Sequence, residues 1–167
     1  LVDGNVHKLY EQQIQNLVGN DFCCPIDALE SNKEYVNLSK YYKSLIVNGY
    51  TRNDILVTIG GGILQDISGF IASTLYRGCR WIFIPTTLLA MADSCVGSKT
   101  SINFDSFKNL IGTFYPPDRI FVDPGFCKTL KDECFNSGVG EIIKFHLMSD
   151  KEDFERLKNY LCSTDKR

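Results

Sequence analysis

Gly60-Gly61-Gly62 follows the apolar run Ile55–Ile59 and leads into a helical pattern, with Asp66 four residues past the last glycine. Three residues without Cβ let a phosphate lie against the backbone, and the N–H groups of the following helix point at such an anion. A phosphate or pyrophosphate cradle is one reading, and a plain tight turn is the other. The order is not G-x-G-x-x-G, so the standard dinucleotide fingerprint is absent. Downstream, Thr86, Thr87, Asp93, Ser94, Lys99, Thr100, Asn103, Lys108 and Asn109 crowd polar groups into one stretch. They suit a polyhydroxylated, phosphorylated small molecule, or else they form a solvated loop. Glu141 and Lys144 stand at i and i+3 of a third segment. They make a surface ion pair or, given Gly138, Gly140, Ile142 and Ile143 around them, an acid and a base packed inward for metal or substrate contact.

The elements that must position these groups follow from periodicity. Val6 to Val18 repeats apolar residues at helical spacing, with Asn5 as a possible cap. Phe22–Ile26 predicts a short strand and Lys33–Val47 a helix stopped by Asn48-Gly49. Ile55–Ile59 predicts a strand buried on both faces, followed by a helix from Ile63 that ends at Arg77-Gly78. Trp81–Ile84 is the next strand and turns through Pro85-Thr86-Thr87 into a short helix, Leu88 to Ser94. Strand, helix and strand joined by a glycine turn make a right-handed βαβ unit. Thr100–Asn103 and Asn109–Phe114 predict a small hairpin, and Arg119–Asp123 a further strand. After Pro124 the pattern is helical throughout: Phe126–Leu130, Asp132–Met148 and Lys151–Cys162. The fold class predicted is α/β, a mostly parallel sheet domain followed by the start of an all-helical one, with the boundary near Pro124.

Bulk composition narrows the partners. At 167 residues the chain is one domain, or one and part of a second. Eighteen basic and twenty acidic residues leave a net charge of -2, which predicts neither a nucleic-acid face nor an anionic membrane as partner. No apolar run reaches the roughly 18 residues of a membrane span. The seven cysteines form no C-x-x-C pair and are read as reduced thiols of a cytoplasmic protein. Neither end carries a recognisable start or stop, so both are read as cut.

Order and spacing bring the segments together. G-G-G-x-x-x-D, Y-R-G, P-T-T-L, D-S-x-V-G-x-K-T, K-N-L-I-G, D-P-x-F-x-K-T-L and G-x-x-E-I-I-K occur in this order. As a set, from about Asp3 to about Met148, they resemble 3-dehydroquinate synthase and its sugar-phosphate cyclase relatives. The resemblance implies a Rossmann-like NAD-binding domain over residues 1–124 and the first helices of a metal- and substrate-binding domain over 125–167. It implies NAD contacts at Asp3, Asn5, Glu30, Lys33, Gly61, Gly62, Asp66, Thr86, Thr87, Lys108, Phe126 and Thr129. Substrate contacts fall on Arg77, Asp93, Lys99, Asn109 and Lys144, and a first ligand for zinc or cobalt on Glu141. The implied chemistry is a transient oxidation by NAD of a seven-carbon sugar phosphate at the metal, phosphate elimination, return of the hydride and ring closure. A homodimer is implied for the full-length protein.

The resemblance also defines what is missing. The family's metal site has one glutamate and two histidines, whereas only His7 and His146 occur here. His146 lies five residues after Glu141, about 140° round a helix, and so off its face. The 167 residues alone are therefore expected to be inactive. Ser98, Phe104 and Phe107 depart from the commonest pattern and keep a 2-epi-5-epi-valiolone or 2-deoxy-scyllo-inosose synthase open as the alternative. A metal-dependent polyol dehydrogenase of the glycerol dehydrogenase type, and a non-catalytic NAD-binding remnant, are the readings from other classes.

Overall fold

The computed structural model describes residues 1–19 and 21–163. Five strands form one all-parallel sheet: β1 (Val2–Asp3), β2 (Pro25–Ile26), β3 (Ile55–Gly60), β4 (Arg80–Pro85) and β7 (Arg119–Ile120), in the order β2-β1-β3-β4-β7. The helices are α1 (Gly4–Leu9), α2 (Glu11–Val18), α3 (Tyr35–Val47), α4 (Gly62–Thr74), α5 (Asp132–Met148) and α6 (Lys151–Ser163). An antiparallel hairpin, β5 (Lys99–Phe104) and β6 (Phe107–Phe114), completes the set. This is the α/β class expected, with helices alone after Thr129 among the described residues.

Alternation along the strands divides the core. Leu56, Trp81 and Phe83 pack with Leu38, Leu64, Ile67 and Ile71 on the face covered by α3 and α4. Val2, Ile59 and Ile84 turn to the other face, where Ile14 of α2 covers them. The period of two sends successive side chains to opposite layers, as a doubly covered parallel sheet requires. Helix α4 lies between the sheet and the hairpin. A Cβ at Gly69 would stand 2.6 Å from the Thr100 Cγ2 and 3.2 Å from the Trp81 ring, so glycine there sets how closely β5 approaches. That contact holds the hairpin, with its lysines, over the helix that leaves the glycine turn.

Several boundaries differ from the sequence-based ones. The single helix expected over 6–18 breaks at Tyr10, whose φ of -124° is not helical. Asp3, not Asn5, caps α1: its Oδ1 accepts from the N–H of Asn5 at 2.7 Å and of Val6 at 3.3 Å. Of Phe22–Ile26 only Pro25–Ile26 pairs in the sheet. The helix expected from Lys33 begins as a separate 3-10 turn, Glu30–Lys33, with Glu34 extended before α3. Arg119–Ile120 is all that remains of the last predicted strand, and Pro124–Thr129 is a 3-10 turn capped by Asp123. The glycine turn, the hairpin, α5 and α6 lie where periodicity put them.

Candidate functional site

The carboxyl ends of β3 and β4 meet at the glycine turn. Gly60 pairs with Pro85, and the Thr86 N–H donates to the Gly60 carbonyl at 2.9 Å. The three glycines do different work. A Cβ on Gly60 would strike Leu64 at 2.8 Å, and one on Gly61 would press on Thr87 at 3.0 Å, whereas Gly62 meets nothing nearer than the Ser94 Oγ at 3.8 Å. Helix α4 starts with Gly61 as its N-cap and no side chain capping its amides. Orphan N–H groups at an uncapped helix start, beside a residue with no Cβ in open space, suit an oxyanion. Thr86 is buried beside them, and the Thr87 hydroxyl accepts from the Ala90 N–H at 3.2 Å, starting the next helical turn.

That turn is a π-helix over Ala90–Ser94 and carries Asp93. Buried Gln65 of α4 fixes it from below, donating to the Ser94 carbonyl at 2.5 Å and accepting from the Ser94 hydroxyl at 2.7 Å. From the other side, α5 packs against the same turn. A Cβ on Gly138 would lie 2.6 Å from Leu88 and 2.7 Å from the Leu89 nitrogen, so only glycine admits this contact. Gly140, by contrast, faces open space and plays no part in it. Glu141 and Lys144 pair with each other on the seated helix.

The densest polar cluster gathers on Lys33. Its Nζ lies 2.8 Å from Asp66 Oδ2, 2.7 Å from Asn109 Oδ1 and 3.3 Å from Ser101 Oγ, with Glu30 at 3.7 Å. Asp66 also accepts from the Ser101 N–H and hydroxyl, both at 2.9 Å. Asn103 donates to Glu30 at 2.9 Å and accepts from the Asn109 N–H at 2.8 Å. Burial pushes the Asp66 carboxyl above its ordinary range, while Lys33 and Ser101 pull it back. Residues from α4, the Glu30–Lys33 turn and both hairpin strands thus meet in one network. Ser101 was not among the expected site residues, and Asn103 was named in the polar stretch without a role; the strand phase of Thr100–Asn103 was the available signal.

A third cluster joins the first helices to the last 3-10 turn. Tyr10 stacks edge-on to Phe126 at 5.0 Å between centroids, and its hydroxyl shares a hydrogen bond with the Thr129 hydroxyl at 2.8 Å. Together with Ile14, Ile59 and Ile84 they line a cavity of about 460 Å³. Phe126 and Thr129 were expected at the site, and Tyr10, which fell within the apolar repeat of Val6 to Val18, is a wall of the same cavity. Lys99 and Lys108 are exposed on the hairpin.

Three expected residues fit less well. Arg77 is exposed beyond the far end of α4, a helix of 13 residues and so about 20 Å from the glycine turn. Asn5 is exposed within α1, and the Asp3 carboxylate is engaged in capping. Around Glu141 there is no metal cage: among the described residues no three His, Cys, Asp or Glu side chains gather to hold an ion. His146 turns to α6, with Nδ1 2.8 Å from the Ile142 carbonyl and Nε2 3.7 Å from Asp153. None of the seven cysteines is in a disulfide, and no helix among the described residues is long and apolar enough to cross a membrane.

Residues 23–137 match the family model described as 3-dehydroquinate synthase N-terminal. The 3-dehydroquinate synthase of Clostridium acetobutylicum is 40% identical over 164 residues, which are 96% of this chain and 46% of that protein. The chain therefore spans less than half the length of that curated relative. Among solved structures, 2-epi-5-epi-valiolone synthase from Streptomyces hygroscopicus subsp. jinggangensis, with NAD+ and Zn2+ bound, superposes with a TM-score of 0.80 at 36% identity, covering 86% of this chain and 41% of that one. A 2-deoxy-scyllo-inosose synthase complexed with carbaglucose-6-phosphate, NAD+ and Co2+ gives 0.81 at 27% identity, over 87% and 41%.

Proposed function

The chain belongs to the 3-dehydroquinate synthase family, and from that premise we propose that it is the cofactor-binding half of a 3-dehydroquinate synthase. The whole enzyme would convert 3-deoxy-D-arabino-heptulosonate 7-phosphate to 3-dehydroquinate and phosphate in the shikimate pathway of the cytoplasm, as a homodimer. The observation that carries this reading is the uncapped start of α4 behind Gly61 and Gly62, with Thr86 and Thr87 beside it. It fits the pyrophosphate of NAD, with Phe126 and Thr129 in the adjoining cavity for the remainder. Bound there, NAD would take a hydride from the substrate and return it.

The chain's own residues bind and orient. Lys99 and Lys144 are cations for the substrate's phosphate and carboxylate, and Asp93 and Asn109 supply polar contacts for its oxygens. Asp93 is held by the π-turn between α4 and α5, where the Gln65 and Gly138 contacts fix its backbone. Arg77 lies outside this group and, in a homodimer, is available to a second copy. Glu141 is one carboxylate with a lysine for partner, which by itself does not fit zinc or cobalt. The other ligands, on this reading, belong to the half of the protein after the domain boundary we place near Pro124.

Two measurements test the proposal. NADH fluorescence titration of the 167-residue chain should saturate, and Gly62→Arg should abolish it by filling the open space before α4. Failure of the unaltered chain to bind NADH would sink the cofactor reading. Complemented with the second half of a curated relative, zinc and NAD, the chain should release phosphate from the heptulosonate phosphate. Release from sedoheptulose 7-phosphate instead would move the assignment to a valiolone synthase, the relative to which the solved structure at 36% identity belongs.

A further inference from the structure

A carboxamide can offer either end to a ligand, its carbonyl or its NH2, and Asn109 is placed where only one is free. Its Oδ1 lies 2.7 Å from the Lys33 ammonium, which has donors and no acceptor, and 2.9 Å from the Ser101 hydroxyl. An oxygen held by a buried cation cannot exchange places with the NH2 group, because an N–H facing an ammonium is repelled at the same distance. Lys33 is itself held by Asp66 at 2.8 Å, and Asp66 by both the N–H and the hydroxyl of Ser101. The backbone is fixed as well: Asn109 has φ of 55°, a left-handed conformation that asparagine tolerates, with its N–H on Asn103.

We propose that Lys33 and Ser101 are positioning residues that set the polarity of the Asn109 side chain, so that it presents its NH2 end to an acceptor oxygen. The ligand group recognised is then anionic oxygen, phosphate or carboxylate, rather than a hydroxyl proton. This deepens the function proposed above and rests on it in one respect, that Asn109 faces the substrate. Asn109 is an exposed residue whose carbonyl oxygen is taken by Lys33 and Ser101, which leaves the NH2 end for a ligand. Ser101 contributes in two ways. Its single hydroxyl proton serves either Asp66 or Asn109, while its N–H keeps Asp66 turned toward Lys33.

The test is NMR on the 167-residue chain, following the Asn109 side-chain NH2 signals. Inorganic phosphate and acetate are the probes, with chloride at equal ionic strength as control. The wild-type NH2 pair should exchange rapidly with solvent and shift on adding phosphate or acetate, whichever oxygen the site takes. Ser101→Ala should weaken that response about fivefold, the loss of one hydrogen bond, and Ser101→Thr should restore it. Asn109→Asp should keep or raise thermal stability, giving Lys33 a third carboxylate beside Asp66 and Glu30, yet lose the response read at the Lys108 amide. A protected NH2 pair indifferent to both anions, or an unchanged response in Ser101→Ala, would overturn the proposal. NADH binding is measured separately, so a chain that binds no NADH but behaves as described discards the cofactor reading and keeps this one.

Discussion

Two lysine–carboxylate pairs lie within the candidate site, and they have little in common. Lys33 is 6% exposed and bound to Asp66, Asn109 and Ser101, partners drawn from three elements. Lys144 is 54% exposed and bound to Glu141, one turn away on its own helix, with its ammonium 4.9 Å from the Phe145 ring. The first pair is a strut: Lys33 is buried and Asp66 only one-fifth exposed, so removing either partner strands a poorly hydrated charge. The second is a solvated pair whose geometry costs little to break and leaves both groups free for other work. A lysine that must meet an incoming phosphate is better served by the second arrangement, and one that must hold three segments in register by the first.

The largest effect expected follows from the strut. Lys33→Met leaves the Asp66 carboxylate without its cation and should destabilise the chain by about 3–5 kcal/mol, read as a lower midpoint in urea unfolding. The hairpin should also loosen, seen as faster amide exchange across β5 and β6. A loss below about 1 kcal/mol would erase the contrast with Lys144, since it would mean that Lys33 is solvated as well.

Local patterns carried most of the architecture to the page. Helix α5 spans Asp132–Met148 as its periodicity implied, and the turn from β3 to α4 was marked by its glycines. Of the two glycines read as marking an inward-packed helix, Gly138 does approach other backbone, whereas Gly140 faces open space. The strut was not legible as a strut. Lys33 is separated from Ser101 by 68 residues and from Asn109 by 76, so no spacing rule connects them. Motif order did put Lys33, Asp66 and Asn109 in one site but divided them between cofactor and substrate. Tyr10 was hidden for a similar reason. As one apolar position in a helical repeat it looked like core, and its partner Thr129 is 119 residues away, with Phe126 beside it.

A smaller effect sharpens the account of the strut by asking whether burial or pairing governs Asp66. Burial is the stronger influence and raises its native carboxyl above the unfolded value. A native state that holds the proton more tightly gains stability at acid pH, in full below the unfolded value near 4, and loses it as pH rises through the native value. Unfolding free energies of wild type and Asp66→Asn, measured across this window, should differ most in favour of wild type at the acid end. A difference that grows with pH would mean that Lys33 and Ser101 outweigh burial and hold the carboxyl down.

The smallest stability effect belongs to Lys144, and its smallness is what the comparison requires. Lys144→Met removes a half-solvated i,i+3 pair and should change the unfolding free energy by no more than about 0.5 kcal/mol. Helix α5 keeps its seat, because the contact of Gly138 with Leu88 and Leu89 does not involve the ion pair. NADH affinity should be unchanged too, since Lys144 lies on α5 and the glycine turn on the far side of the Ala90–Ser94 turn. A destabilisation of several kcal/mol would instead make Lys144 a second strut, holding α5 against the sheet domain. It could then not be the mobile cation that a phosphorylated substrate would draw away from Glu141.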